Sequence, residues 1–230
     1  MSTALTIVLP IYEGVTHLDF TGPHQVFARL PDTRVLVASL GGQPVCADGL
    51  QFSALAKLED IPACDVLCVP GGAGCVAALE DERFLDQIGR LSQSARYITS
   101  VCTGSLILGA AGLLVGKHAT SHWAFRDLLP LFGAIRSDER VVRDGNVITA
   151  GGVTAGIDFS LTLIAELAGE ELAQSIQLGL EYAPHPPFAS GRPEEAPAAI
   201  YAALRDKIAV ESVDRRARLH AFMKKKARTP

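Results

Sequence analysis

Apolar positions in the first half of the chain fall in short, nearly unbroken runs, each followed by a stretch with helical spacing. Residues 4–12 (ALTIVLPIY), 34–40 (RVLVASL), 65–69 (DVLCV) and 96–101 (RYITSV) are runs of this kind. Such runs suit strands covered on both faces, as in a parallel sheet. Between them the spacing predicts a helix over 19–30, with Gly22 and Pro23 in its first turn. It predicts another over 82–94, where Phe84, Leu85, Ile88 and Leu91 share a face, and a small-residue helix over 104–114. Residues 41–52 read as a turn and short hairpin, and 140–149 as a hairpin around Asp144-Gly145. Beyond these, 156–167 and 170–182 read as helices, 183–197 as an extended surface segment rich in proline and glycine, and 198–228 as helical. Alternating strands and helices imply an α/β fold: a doubly wound, mostly parallel sheet with helices on both faces. Sites in that architecture form beyond the carboxyl ends of the strands. The expected division is an α/β domain over 1–190 and a C-terminal helical extension over 191–230, packed on the body or on a dimer partner.

Composition narrows the class. A chain of 230 residues, 48% hydrophobic and 20% charged, can bury one substantial core. Its net charge of −4 gives no general attraction to nucleic acid or anionic membrane. Residues 1–6 lack the basic start of a signal peptide, and the longest later apolar stretch, 106–115, is too short to span a bilayer. Five cysteines without framework spacing favour free thiols in a reducing compartment, so a cytoplasmic location is expected.

The chemistry concentrates at Cys102. Ser100-Val101-Cys102-Thr103-Gly104-Ser105 follows a buried strand and opens a helix. A nucleophile projected from such a turn needs small residues two positions away on each side, and Ser100 and Gly104 supply them, the cysteine form of a nucleophile elbow. The start of the helix offers unpaired N–H groups and a positive dipole end, both favouring thiolate, and the Thr103 N–H is placed to donate to a developing anion. A cysteine that merely fills core space is the alternative; the elbow argues against it here, and nothing does so for Cys46, Cys64, Cys68 or Cys75. Pro70-Gly71-Gly72-Ala73-Gly74 follows a core strand, and Gly72 is the expected second donor of an oxyanion site. That loop lacks both the Walker and the GxGxxG patterns. Asp19 opens the first helix, where spacing alone fits an N-cap and a functional carboxylate equally well.

With Cys102, the Gly71-Gly72 loop and Asp19 in place, the chain resembles the ThiJ/PfpI superfamily, within the class I glutamine-amidotransferase-like fold. The matching stretches are LDFTGPHQVF (18–27), VPGGAG (69–74), TSVCTGSLILGAAGLLVGK (99–117), TSHWAF (120–125), ERVVRDGNVITAGGVTAGIDF (139–159) and LEYAPHPPF (180–188). The likeness is strongest to the branch that adds water to isocyanides. It implies a homodimeric hydro-lyase, without cofactor, that converts R–N≡C into an N-substituted formamide. Carried over, Cys102 is the nucleophile, Asp19 the general acid/base, and Thr103 stands beside the thiol. Protease-like members place histidine directly after the cysteine, and many relatives use Glu as the acid; Thr103 and Asp19 depart from both patterns and match the hydrating branch. The competing expectations are a glyoxalase- or deglycase-like enzyme and a non-enzymatic sensor domain of the kind that precedes helix-turn-helix modules.

Several features keep a plainer reading. His118 and His122 stand four apart, yet Gly116 and Thr120-Ser121 argue against one regular helix, so no metal site is expected. His17 and His24 read as surface or hydrogen-bonded histidines. Trp123 is a candidate wall for the substrate pocket, though aromatics, Phe125 included, more often fill core. The basic run Arg215, Arg216, Arg218, Lys224, Lys225, Lys226 and Arg228 reads as a helix end with Leu219, Phe222 and Met223 on a docking face, not as a nucleic-acid arm.

Overall fold

The apolar runs become the centre of one sheet in the computed structural model of the protein, which describes residues 4–226. Residues 1–3 at the chain start and Arg228 of the basic run lie outside the described residues. Strands β1 (Leu5–Pro10), β2 (Thr33–Ser39), β5 (Ala56–Lys57), β6 (Val66–Val69), β7 (Tyr97–Val101), β10 (Val141–Asp144) and β11 (Val147–Ala150) are ordered β10-β11-β7-β6-β1-β2-β5. Every neighbouring pair is parallel except β10–β11, the expected hairpin. Ile7, Val8 and Leu9 of β1 and all four residues of β6 are buried, which is why these strands read as unbroken apolar runs. A small hairpin of β3 (Val45–Ala47) and β4 (Leu50–Phe52) and a two-residue pair, β8 (His118–Ala119) with β9 (Ile135–Arg136), lie outside the main sheet.

Two groups of helices flank the sheet. In one, α1 (His17–Phe27) packs on α5 (Ala155–Ala168), and α5 on α6 (Glu170–Gly179). In the other, α2 (Cys75–Glu80), α3 (Glu82–Ser92) and α4 (Gly104–Ala110) pack together. Helix α3 buries Phe84, Ile88 and Leu91, and Asp81 caps it by accepting the Arg83 N–H at 3.0 Å. Helix α1 begins two residues before the expected start, so Pro23 lies inside the helix and not in its first turn. Helix α4 stops at Ala110, where Gly112 at φ +81° turns the chain. Helix α2 is an element beyond those the sequence predicts, because the glycines before it look like an extended loop.

After the coil over 183–197, α7 (Ala198–Glu211) and α8 (Val213–Lys226) complete the described chain. Helix α8 lies against α2 and the 3₁₀ segment Trp123–Phe132, with Leu219 buried. Its arginines face the body: Arg216 pairs with Asp127 at 2.7 Å, Arg218 pairs with Glu80, and Arg215 stands over the Phe125 ring at 5.2 Å. Among the described residues no helix is long and apolar enough to cross a membrane.

The order of connections creates the site. From β1 the chain moves to β2 on one side, then returns to β6 on the other side of β1. The crevice between β1 and β6, at their carboxyl ends, is the topological switch point. Asp19 follows β1, the Gly71-Gly72 loop follows β6, Cys102 follows β7, and the Gly151–Val153 loop follows β11. Four adjacent strand ends therefore deliver four chemically distinct groups to one place.

Candidate active site

Cys102 occupies the left-handed region at φ +58°, rare for a residue other than glycine and the mark of a sharp strand-to-helix turn. Its N–H donates to Gly151 O at 2.8 Å, and its carbonyl accepts from Ser105 Oγ at 3.1 Å and Ser121 Oγ at 3.0 Å. These bonds hold the turn from both ends. Gly104 answers the demand for a small residue: a Cβ there would lie 2.1 Å from Val69 O. The thiol is nearly enclosed, with 6% of the residue exposed.

Asp19 sits in the first turn of α1, but the N-cap residue is Thr16, so the capping alternative does not hold. Its carboxyl is fully buried and turns to the next strand end, where Oδ2 accepts the Gly71 N–H at 3.0 Å. Oδ1 has no conventional hydrogen-bond partner among the described residues, while the Cys102 thiol is the side chain that acts on the carboxyl. Burial raises the pKa of Asp19 from 3.8 to about 7, with Asp48 adding slightly, and this outweighs the lowering by the Gly71 N–H and by Cys102. Without those two contacts the acid would be higher still.

Burial also pushes the Cys102 thiol well above its ordinary value, and the neighbouring Asp19 carboxylate adds to the rise. The backbone N–H groups of Thr103 and Val153 work the other way, since both donate to the sulfur. The helix-start N–H favours the thiolate as expected, but desolvation and a nearby negative charge outweigh the donors. At neutral pH the thiol keeps its proton beside a carboxyl that is near half ionisation.

Gly72 does not fill the role expected of it. Its N–H donates to Thr103 Oγ1 at 3.0 Å and is committed within the protein. The position is still demanding, at φ +146° with room for no Cβ, which would come within 2.5 Å of Gly14 O and Thr16 N. The donor that sequence reasoning missed is Val153. It stands at φ +28°, strained for a β-branched residue, and its contribution is a backbone N–H, to which residue type gives no clue. Gly151-Gly152 just before it was the available signal for an unusual loop.

Trp123 lies beside this arrangement, half-buried, in a cavity of about 200 Å³. Its walls include His122, Gly151, Gly152 and Val153, so it abuts the loop that holds the thiol. Burial, Arg126 and Arg215 lower the His122 pKa to about 4, so that ring is neutral at physiological pH. A second cavity, of about 290 Å³, lies between Tyr12, Leu40 and Phe84; neither cavity has Cys102 or Asp19 in its lining, and only the first includes a residue, Val153, whose N–H reaches the sulfur. All five cysteines are free, and the described residues contain no cluster of three or more metal-ligating side chains.

Comparison with known proteins places this geometry in context. The profile of the DJ-1/PfpI family matches residues 5–166. Isonitrile hydratase of Pseudomonas putida is 54% identical over 207 residues, covering 90% of this chain and 91% of that protein. Protein dj-1beta of Drosophila melanogaster is 30% identical over 183 residues, covering 77% of this chain and 96% of that one. Among solved structures, a ThiJ/PfpI family protein from Pseudomonas syringae superposes with a TM-score of 0.90 at 41% identity, covering 95% of this chain and 90% of the other.

Proposed function

The chain belongs to the DJ-1/PfpI family, and on that premise we propose that it hydrates isocyanides to N-substituted formamides, with Cys102 as nucleophile, Asp19 as general acid/base and Thr103 as a backbone donor at the thiol. The observation that carries this reading is the buried pair of one thiol and one carboxyl, the acid form of the latter accessible near pH 7. Similarity to the isonitrile hydratase of Pseudomonas putida along nine-tenths of the chain supports the substrate class.

An isocyanide accepts a proton and a nucleophile on the same terminal carbon. As R–N≡C enters, Asp19 takes the Cys102 proton and passes it to that carbon while the sulfur attacks, giving the thioimidate R–N=CH–S–Cys102. Asp19, again a carboxylate, then draws a proton from water as the oxygen adds to the same carbon, and delivers it to nitrogen. The adduct R–NH–CH(OH)–S–Cys102 collapses by expelling the thiolate, and the hydroxyl proton returns to sulfur by way of Asp19. The products are R–NH–CHO and free enzyme. Atoms and electrons balance with water alone, so no cofactor or metal enters. The N–H groups of Thr103 and Val153 stabilise the sulfur at the two moments when it carries negative charge. Gly72 acts in this reading by positioning Thr103, and Trp123 contributes to the pocket for the substituent.

The same proposal takes the protein to work in the cytoplasm as a homodimer on a small molecule, without nucleic acid or membrane as partner. It also divides the chain into an α/β domain over 1–190 and a C-terminal extension over 191–230, whose described part carries α7 and α8. Incubating pure protein with cyclohexyl isocyanide and, separately, with methylglyoxal tests the central step. Formamide from the first and little turnover of the second is the expected result. Turnover of methylglyoxal alone would assign the site to glyoxalase-like chemistry, and turnover of neither would leave the sensor reading.

A further inference from the structure

The cavity on the outer side of the Gly151–Val153 loop is lined by three guanidinium groups and no carboxylate: Arg126, Arg140 and Arg192 stand around Trp123 and that loop. We propose that this cavity receives the substituent of the isocyanide and selects one that bears a carboxylate, so that the preferred substrates are isocyano acids. This deepens the hydration reading and rests on it.

Each arginine has an acidic neighbour, Asp138 for Arg126, Asp158 for Arg140 and Glu194 for Arg192, but none of these acids lines the cavity. A guanidinium has five N–H donors, so one acid leaves others for a ligand. Arg192 Nη1 and Arg126 Nη2 donate no hydrogen bond among the described residues, while Arg140, bonded to Asp158 and Thr154, also meets the Tyr182 hydroxyl. The Arg126 side chain is 9% exposed and held by Ser121 O at 3.2 Å, so one of the three charges is fixed in place before any ligand arrives. His122 adds no charge of its own, since burial, helped by Arg126 and Arg215, keeps it neutral. Planar guanidinium forks match carboxylate geometry, and the Trp123 ring offers an apolar wall for a short spacer.

The cavity and the reacting atoms share a wall. Gly151 O accepts the Cys102 N–H at 2.8 Å, and Val153, which lines the cavity, directs its N–H to the sulfur. Cys102 itself does not line the cavity, so in this proposal the substituent passes the single residue, Val153, that separates the sulfur from the arginines. A neutral substituent would leave their N–H groups facing water or an apolar group, which discriminates against it.

The test compares 4-isocyanobutanoate with its methyl ester at low ionic strength. The expected kcat/KM ratio favours the acid by about tenfold or more, as one charge-assisted contact supplies. Arg140→Gln and Arg192→Gln should each lower that ratio severalfold, and Arg143→Gln, on the far hairpin and outside the cavity, should not. A ratio near one, or a ratio unmoved by both cavity variants, overturns the proposal. Binding separates this from the underlying reaction: 4-formamidobutanoate should raise the melting temperature of Cys102→Ala more than its methyl ester does. Selective binding without turnover of either isocyanide would retain the anion site and reject hydration, whereas turnover of both without selectivity would do the reverse.

Discussion

At the residue scale the site is governed by competition between burial and hydrogen bonding, and burial wins twice. Asp19 gains an N–H from Gly71 and lies in the first turn of a helix, both of which favour the carboxylate. Its pKa nevertheless stands near 7 in place of 3.8. This has a consequence for stability. Below about pH 4 the acid is neutral in folded and unfolded chains alike; between about pH 4 and about pH 7 the unfolded chain has released its proton while the folded one holds it, so stability falls as pH rises through that window. Asp19→Asn keeps an acceptor for the Gly71 N–H and removes the buried charge. It should stabilise the protein at pH 8 by something on the order of 4 kcal/mol, much less at pH 4, and lower kcat by roughly 10² to 10⁴. Urea denaturation at the two pH values and a formamide assay read both effects. The activity of the wild-type chain follows from the same proton. Two protons on the pair leave no base for the thiol, so kcat/KM should rise with pH through an apparent pKa of about 7 that belongs to the dyad. A flat profile from pH 5 to pH 8 would count against Asp19 as the acceptor.

At the scale of elements, close approach of backbone to backbone fixes the geometry, and glycines mark where it happens. Gly72→Ala forces a Cβ to within 2.5 Å of two backbone atoms that cannot give way. The expected cost is about 3 kcal/mol, against about 1 kcal/mol for Gly112→Ala, which shares a positive φ but has nothing within 4 Å. The difference between the two denaturation midpoints isolates the collision from the conformational strain. The elements themselves were legible where burial is two-sided, as in β1 and β6, or one-sided and periodic, as in α3. The elbow was legible because it demands small residues at fixed positions. The short helix α2 and strand β5 were not, since a few residues after a glycine-rich or polar stretch carry no periodicity to read. Within the site, Cys102 could be named from the elbow and Asp19 only through the resemblance, and the balance at the thiol was not legible because desolvation depends on what the fold stacks around the sulfur. The role of Val153 lies in a main-chain N–H and an unusual φ, and the arginine-lined cavity joins residues more than sixty positions apart; neither leaves a local signature.

For the whole molecule, the sheet order explains why the chemistry sits where it does, and the C-terminal helices complete the covering of one side. Helix α8 brings a basic face to acids on α2 and the 3₁₀ segment, so Arg215, Arg216 and Arg218 of the basic run are stacked or ion-paired in the fold. Leu219→Ala should cost about 2 to 4 kcal/mol by opening a cavity under that helix, while Lys224→Ala, exposed on the same helix, should change stability by less than about 0.5 kcal/mol. Equal effects in thermal unfolding would mean that α8 is not docked as described. In the proposed reaction the Cys102 sulfur is the atom that meets the isocyanide carbon. The most direct measurement is formamide production from cyclohexyl isocyanide by wild-type and Cys102→Ala protein, side by side and with matched folding by circular dichroism. Turnover by the first, and none above the buffer background by the second, is the predicted result; a Cys102→Ala protein that makes formamide at the wild-type rate would contradict it.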